Sequence, residues 1–375
     1  MAKKIGILTA GSDAPGLNAT IRGFGKALQG YYGMGLIGFR DGFQGLLQNK
    51  VVDLGGNALS NILTAGGTVL GTSRDVPYAI GEDGNLVDKT DLAVEVYQEN
   101  KLDALVCIGG QETQKAALHL AQAGLNILTL PKSAHNDVPK TDVTIGFDTA
   151  RMIATEAIDR LHSTANSNHR IIIVEIMGRE VGWLTLGAGL ASGSDVILLP
   201  EIPYSIEKIS EAILDRSKAG KRFSIIAVAE GAHSAELVAF FERSLKLDRK
   251  NQAEGEEGLK SKKERLMALR KQYSGQTLLL ANQLEEITGI ESRITILGYL
   301  LRGGTPSSGD RILATCLGTE AAESVAAGEF GKMIASVGSQ AVRVDLAEVV
   351  GQDKPVPMDH PWITSARLVG TVFGD

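Results

Sequence analysis

Short apolar runs of four to seven residues recur along this chain, each stopped by a glycine, a proline or a charge. Lys4–Thr9, Leu36–Phe39, Leu105–Gly110 and Leu125–Leu130 lie in the first half; Ile171–Ile176, Asp195–Pro200, Phe223–Ala229 and Arg293–Leu297 lie in the second. Their content is close to continuously apolar and rich in β-branched residues, which predicts strands buried on both faces, as in a parallel sheet. Between the runs the period changes. Leu92, Val94, Val96 and Tyr97 predict a helix over 91–100, and Ile153, Ala157, Ile158 and Leu161 predict one over 149–162. Further helices are expected from Pro15 or Gly16, from near Val181, from a start capped by Ser205, and over 276–288. Strands that alternate with helices along the whole length predict an α/β fold, doubly wound, with mostly parallel sheets in two lobes. The expected division is 1–150, 151–320 and a C-terminal segment, 321–375, that returns towards the first lobe. A stretch near 236–275 of alternating charge and few apolar residues is expected to be a solvated helical insertion.

Composition narrows the class. Hydrophobic residues make up 43% of the 375 and charged residues 22%, as in soluble globular proteins. Apolar runs fall far short of the ~18 residues that a membrane span needs. The first residues, MAKKIGIL, lack the apolar stretch of a secretory signal, so the expectation is a cytoplasmic protein without a membrane partner. Cys107 and Cys316 form neither a disulfide framework nor a metal spacing. Net charge is −6 and aromatic residues are 5%, which argues against a nucleic-acid partner. Arg170, Arg179, Arg293 and Arg302 sit singly at the ends of apolar runs, a pattern suited to small phosphorylated ligands.

The candidate chemistry gathers where strands end. In an open α/β sheet, ligands collect outside the carboxyl ends of the strands. Leu105–Gly110 ends in two glycines, and Leu125–Leu130 runs into PKSAHNDVPKTDVTIGFDTA at 131–150, which places Lys132, Ser133, His135, Asn136, Asp137, Asp142 and Asp148 there. After the first strand, AGSDAPGLN forms a tight turn into a helix whose amides suit a phosphate.

These segments resemble the phosphofructokinase family. PKSAHNDVPKTDVTIGFDTA is similar to that family's PKTIDND…TD…GFDTA, and GSDAPGLN at 11–18, GGTVLGTSR at 66–74, EIMGRE at 175–180, AEG at 229–231 and GYLLRGGTPSSGDR at 298–311 follow its motifs in order. The resemblance implies the family's two-lobed fold and transfer of a phosphoryl group to a sugar phosphate. It assigns donor phosphates to Gly11, Ser12, Arg74, Gly110, Gln111, Glu112, Thr113 and Lys132. It assigns the sugar phosphate to Ser133, Arg170, Met177, Gly178, Arg179, Glu230, Arg293, Tyr299 and Arg302, with some arginines supplied by a neighbouring subunit. Arg74 as a surface ion-pair partner, and each arginine as a structural ion pair, are the plainer alternatives.

Several positions depart from the family pattern. His135 stands where the catalytic aspartate is expected; the resemblance sets Asp137 and Arg179 with it as catalytic residues and makes Arg170, Arg293 and Arg302 the phosphate and transition-state contacts. Gln111 stands where a metal-ligand aspartate is expected, so the Mg²⁺ set reduces to Asp137 and a degenerate Gln111. Ser12 replaces a glycine, Tyr299 replaces a histidine, and Glu112 puts bulk where ATP users need room. The leading expectation is therefore a family member that still binds fructose 6-phosphate or a close relative, with impaired kinase chemistry and a sensing or regulatory role. The alternative is an active 6-phosphofructokinase with His135 as base, Mg²⁺ as cofactor and pyrophosphate or ATP as donor, Lys132 favouring pyrophosphate. A dimer or tetramer, or a hetero-oligomer with an active paralogue, is implied. A dinucleotide-binding oxidoreductase would need G-x-G-x-x-G after the first strand, which GSDAPG does not supply.

Overall fold

The computed structural model describes residues 3–80, 86–250 and 275–375. The chain forms two compact units, Met1–Ala150 with Tyr299–Lys354, and Arg151–Gly298 with Pro355–Asp375.

The first unit contains β1 (Lys4–Thr9), β2 (Gly35–Phe39), β3 (Val51–Asp53), a small hairpin of β4 (Tyr78–Ile80) and β5 (Leu86–Asp88), β6 (Ala104–Gly109) and β7 (Ile127–Pro131). The second contains β8 (Ile171–Ile176), β9 (Val196–Leu198), β10 (Ser224–Ala229) and β11 (Ser292–Ile296). β12 (Lys332–Val337) and β13 (Gln340–Asp345) then complete the first unit's sheet, whose order is β13-β12-β7-β6-β1-β2-β3. β3 and β13 run antiparallel at the two edges and the five strands between are parallel. Period-two alternation feeds two cores. Ile5 and Ile7 of β1, with Ala104, Val106 and Ile108 of β6, face the helices Leu17–Gly30 and Ser308–Ala327. Leu8, Leu105 and Cys107 face the other side, with Phe43, Val96, Ala116 and Leu120. This accounts for the near-continuous apolar runs in the sequence. β1 pairs with β6 on one side and β2 on the other, so the strand order reverses there, the point at which open α/β sheets bind ligands beyond their strands' carboxyl ends.

The second unit's sheet is wholly parallel, in the order β11-β8-β10-β9. The helix Ile206–Lys218 opens on Ser205, whose hydroxyl accepts from the Lys208 amide at 3.2 Å, as expected from sequence.

Three features bear on the expected division of the chain. Residues 299–320 group with the first unit, because the helix Ser308–Ala327 packs along Leu17–Gly30. The C-terminal stretch forms the β12–β13 hairpin and then divides between the units at Lys354. Of the charged insertion, Ala235–Lys250 is helical and 251–274 lies outside the described residues. Among the described residues no helix is long and apolar enough to cross a membrane.

Candidate functional site

In the first unit, three loops meet at the carboxyl ends of β1, β6 and β7. Gly11 is in the left-handed region at φ +82°, and a Cβ placed there would stand 3.6 Å from Lys132 Nζ and 3.9 Å from Thr113 Oγ1. The loop before Arg74 braces this turn: the Gly11 amide donates to Ser73 O at 2.8 Å and Thr72 Oγ1 donates to Gly11 O at 2.8 Å. Arg74 donates to Ser12 Oγ at 3.4 Å, so the serine in the glycine's place gives the guanidinium a resting partner. Lys132 Nζ donates to Ser12 O. The lysine is buried; burial lowers its ammonium to about 8, Arg302 pushes the same way, and Asp137 and Asp13 oppose them. Gly110 caps the helix Gln111–Gln122 in an extended conformation, and the amides of Gln111, Glu112 and Thr113 have no helical carbonyl ahead of them. Helix N-terminus, Gly11 turn, Lys132 and Arg74 thus make a cradle for anionic oxygens.

The segment after β7 is tightly fastened. Ser133 Oγ accepts from the His135 amide at 3.1 Å, and Asn136, left-handed at φ +57°, donates from Nδ2 to Asp142 O at 2.9 Å. Gln111, expected to weaken a metal site, has a structural part: its Nε2 donates to the backbone carbonyl of Asp137 at 2.6 Å. Oδ1 of Asp137 is buried and has no hydrogen-bond partner among the described residues. Two carboxylates of this segment prove structural. Asp142 accepts from the Gly338 amide at 2.7 Å and Asp148 from Ser307 Oγ at 2.6 Å. Glu112, expected to crowd an ATP, is 78% exposed and turned along its helix to Lys115 Nζ at 3.9 Å. Tyr299 and Arg302 also belong to this unit, with the guanidinium 5.4 Å from the ring centroid.

A cavity of about 620 Å³ opens beside Arg74, with Val76, Pro77, Val87 and Leu92 as apolar walls and Gln44, Gln48 and Lys89 as polar ones. Sequence reasoning missed it, because its walls come from separate helices, a strand and a loop with no common motif.

In the second unit, Met177, Gly178 and Arg179 follow β8 and Glu230 follows β10. Arg179 Nε donates to Glu230 Oε1 at 2.7 Å, while the arginine stays 77% exposed. The two loops touch through backbone: Gly231 N donates to Gly178 O at 2.9 Å, and a Cβ on Gly231 would lie 1.9 Å from Arg179 O. Arg170 and Arg293 do not join this group. They flank the amino ends of β8 and β11 and share Glu291, with Arg170 Nε at 2.5 Å from its Oε2. A six-residue strand separates them from Met177, roughly 20 Å at about 3.3 Å per residue. Within one chain the expected acceptor set is therefore divided between the two ends of β8.

Among the described residues no group of three or more His, Cys, Asp and Glu has metal-holding geometry. Cys107 is buried, which pushes its thiol up, and Cys316 is exposed.

A phosphofructokinase family model matches residues 4–325. The chain belongs to the phosphofructokinase family. It is 52% identical to the ATP-dependent 6-phosphofructokinase of Propionibacterium freudenreichii subsp. shermanii over 375 residues, all of both chains. To the ATP-dependent 6-phosphofructokinase of Spirochaeta thermophila it is 46% identical over 378 residues, covering 100% of this chain and 98% of that one. Among solved structures, the pyrophosphate-dependent phosphofructokinase of Marinobacter aquaeolei superposes with a TM-score of 0.77 at 20% identity, over 100% of this chain and 92% of that one, a likeness of fold. The phosphofructokinase fold, α/β with one mixed and one parallel sheet, is thus established for this chain.

Proposed function

We propose that this chain is a working 6-phosphofructokinase that transfers a phosphoryl group from ATP to the 1-hydroxyl of fructose 6-phosphate, the reading that sequence analysis held as its alternative. The observation that carries it is the cavity beside Arg74, continuous with a residue of the phosphate cradle and walled by apolar side chains that suit a nucleotide base. Pyrophosphate, which Lys132 suggested, has no use for such a space. Glu112 is not among the described residues that line it, and relatives matching over the full chain carry the ATP-dependent name.

Each residue then has a task. The 111–113 amides, Lys132 and Arg74 hold the donor phosphates, and Lys132 acts as a charge close to the oxygens. Arg179 and Glu230 hold the acceptor and release each other to do so. His135 takes the hydroxyl proton as general base. The buried Oδ1 of Asp137 fits one contact to a Mg²⁺ carried by the donor, an ion that in kinases keeps several waters and takes one or two protein carboxylates. When bound, Mg²⁺ offsets charge on the donor phosphates. Arg170 and Arg293, distant from Arg179 in their own chain, complete the acceptor site of a neighbouring copy in a homo-oligomer.

A coupled assay with fructose 6-phosphate, Mg²⁺ and either ATP or pyrophosphate tests the proposal. Turnover with ATP that His135→Ala lowers by ~10²- to 10⁴-fold is the expected result. Turnover only with pyrophosphate overturns the donor assignment. Calorimetric binding of fructose 6-phosphate without turnover on either donor returns the protein to the sensing role, which rests on Gln111 and His135 standing in acidic positions.

A further inference from the structure

Lys354 is the last residue of the first unit and lies in an irregular stretch after the short helix Leu346–Val349. Neither the family motifs nor the reaction outlined above uses it. It is half-buried, and its side chain reaches the loop after β7. Nζ donates to the carbonyl of Asp142 at 2.9 Å, and the same carbonyl accepts from Asn136 Nδ2 at 2.9 Å. A carbonyl has two lone pairs, and here both are taken by fixed donors.

The second donor ties this contact to the chemistry. Asn136 lies between His135 and Asp137 in the chain, its backbone is left-handed, and its Oδ1 accepts from the Thr144 amide at 3.0 Å. Thr144 Oγ1 in turn donates to Ser133 O at 2.6 Å. The loop that carries His135 and Asp137 is therefore closed on itself by Asn136 and fastened from outside by Lys354 at one shared atom. The ammonium also lies within electrostatic reach of the carboxylates of Asp142 and Asp137, and burial lowers it to about 8. A lysine on an irregular surface stretch ordinarily keeps its head in water, because a desolvated cation is unfavourable unless paired and bonded. Here the head is given to the loop instead.

We propose that Lys354 is a positioning residue for phosphoryl transfer: through the Asp142 carbonyl it fixes Asn136, and with Asn136 the backbone that aims His135 and Asp137. The inference rests on the reading of 131–142 as the phosphoryl-transfer loop. It also gives a task to the end of the first unit's chain, which folding of the sheet alone does not require.

Lys354→Met keeps the apolar stem and removes the donor, and Lys354→Arg keeps a charged donor of different shape. Both variants and the unmutated chain are compared by amide hydrogen exchange and by steady-state kinetics with fructose 6-phosphate, ATP and Mg²⁺. In Lys354→Met the His135 and Thr144 amides are expected to exchange about ten-fold faster while those of β1 and β6 keep their rates. The kcat is expected to fall by about ten-fold or more with a smaller change in KM for fructose 6-phosphate, since a misaimed loop affects the reacting geometry more than binding. Lys354→Arg recovers part of both. A kcat close to that of the unmutated chain, or unchanged exchange in the 133–145 loop, overturns the proposal. If the unmutated chain does not turn over, the 6-phosphofructokinase reading fails separately and the exchange comparison alone decides whether Lys354 positions the loop.

Discussion

Burial holds the Lys132 ammonium down to about 8, so its charge acts in opposite directions on folding and on binding. A lysine whose folded value is depressed below its ordinary 10.5 contributes stability above that ordinary value, and the contribution is lost as pH falls through about 8. Donor binding needs the charged form and has the contrary slope. Calorimetric titration with ATP should find affinity flat below about pH 8 and falling above it, and Lys132→Arg should remove that fall. Lys132→Met should weaken donor binding by about 1.5–3 kcal/mol at neutral pH, the usual size for a hydrogen bond to a charged group. Lys132 and Arg74 were named from the sequence through their resemblance to the family's motifs, and the structure brings both to the loop at Ser12. The hydrogen bond from Gln111 to the Asp137 carbonyl was not legible. A side-chain amide can donate or accept, and only the fold shows which of its atoms is engaged and by what.

At the scale of elements, Asp310 joins two motifs that the sequence displays separately. Its fully buried carboxylate accepts from the amides of Gly146 and Thr149, each at 2.8 Å, and from the Thr149 hydroxyl. Ser307 caps the same helix by accepting from the Asp310 amide at 3.1 Å, and its hydroxyl reaches Asp148. GFDT and SGD are thus halves of one fastening across more than 150 residues. Asp310→Ala leaves several buried donors without a partner and should lower unfolding free energy by about 3 kcal/mol or more, read as a shift in urea midpoint at constant slope. Asp310→Asn should cost less. Strands β1, β6, β7, β8 and β10 were legible because burial on both faces writes itself as an unbroken apolar run. The β12–β13 hairpin was passed over, although Gly338 and Ser339 between two alternating runs carry the signal of a tight turn. Partnerships such as Asp310 with Thr149 leave no periodic trace, and so they stay invisible until the chain is folded.

For the whole molecule, the separation of Arg170 and Arg293 from Arg179 makes assembly a requirement of the proposed activity. Arg179→Ala and Arg293→Ala homo-oligomers should each be nearly inactive. Unfolding and refolding them together should restore part of the activity, because some sites in the mixture then draw each arginine from an intact copy; a mixture no more active than its components would place all the needed arginines in one chain. The sheet of the first unit carries a different kind of consequence. β7 pairs with β6 on one side and, on the other, with β12, which lies more than 200 residues further along the chain. A ribosome adding about 5–20 residues per second leaves the outer edge of β7 open for roughly 10–40 seconds after that strand is made. During this interval the nascent chain presents an apolar strand, Ile127–Pro131, with unpaired backbone groups, which is a template for pairing with another chain. Chains ended before Lys332 should therefore sediment as aggregates, and holdase chaperones should engage the unfinished protein more than the completed one.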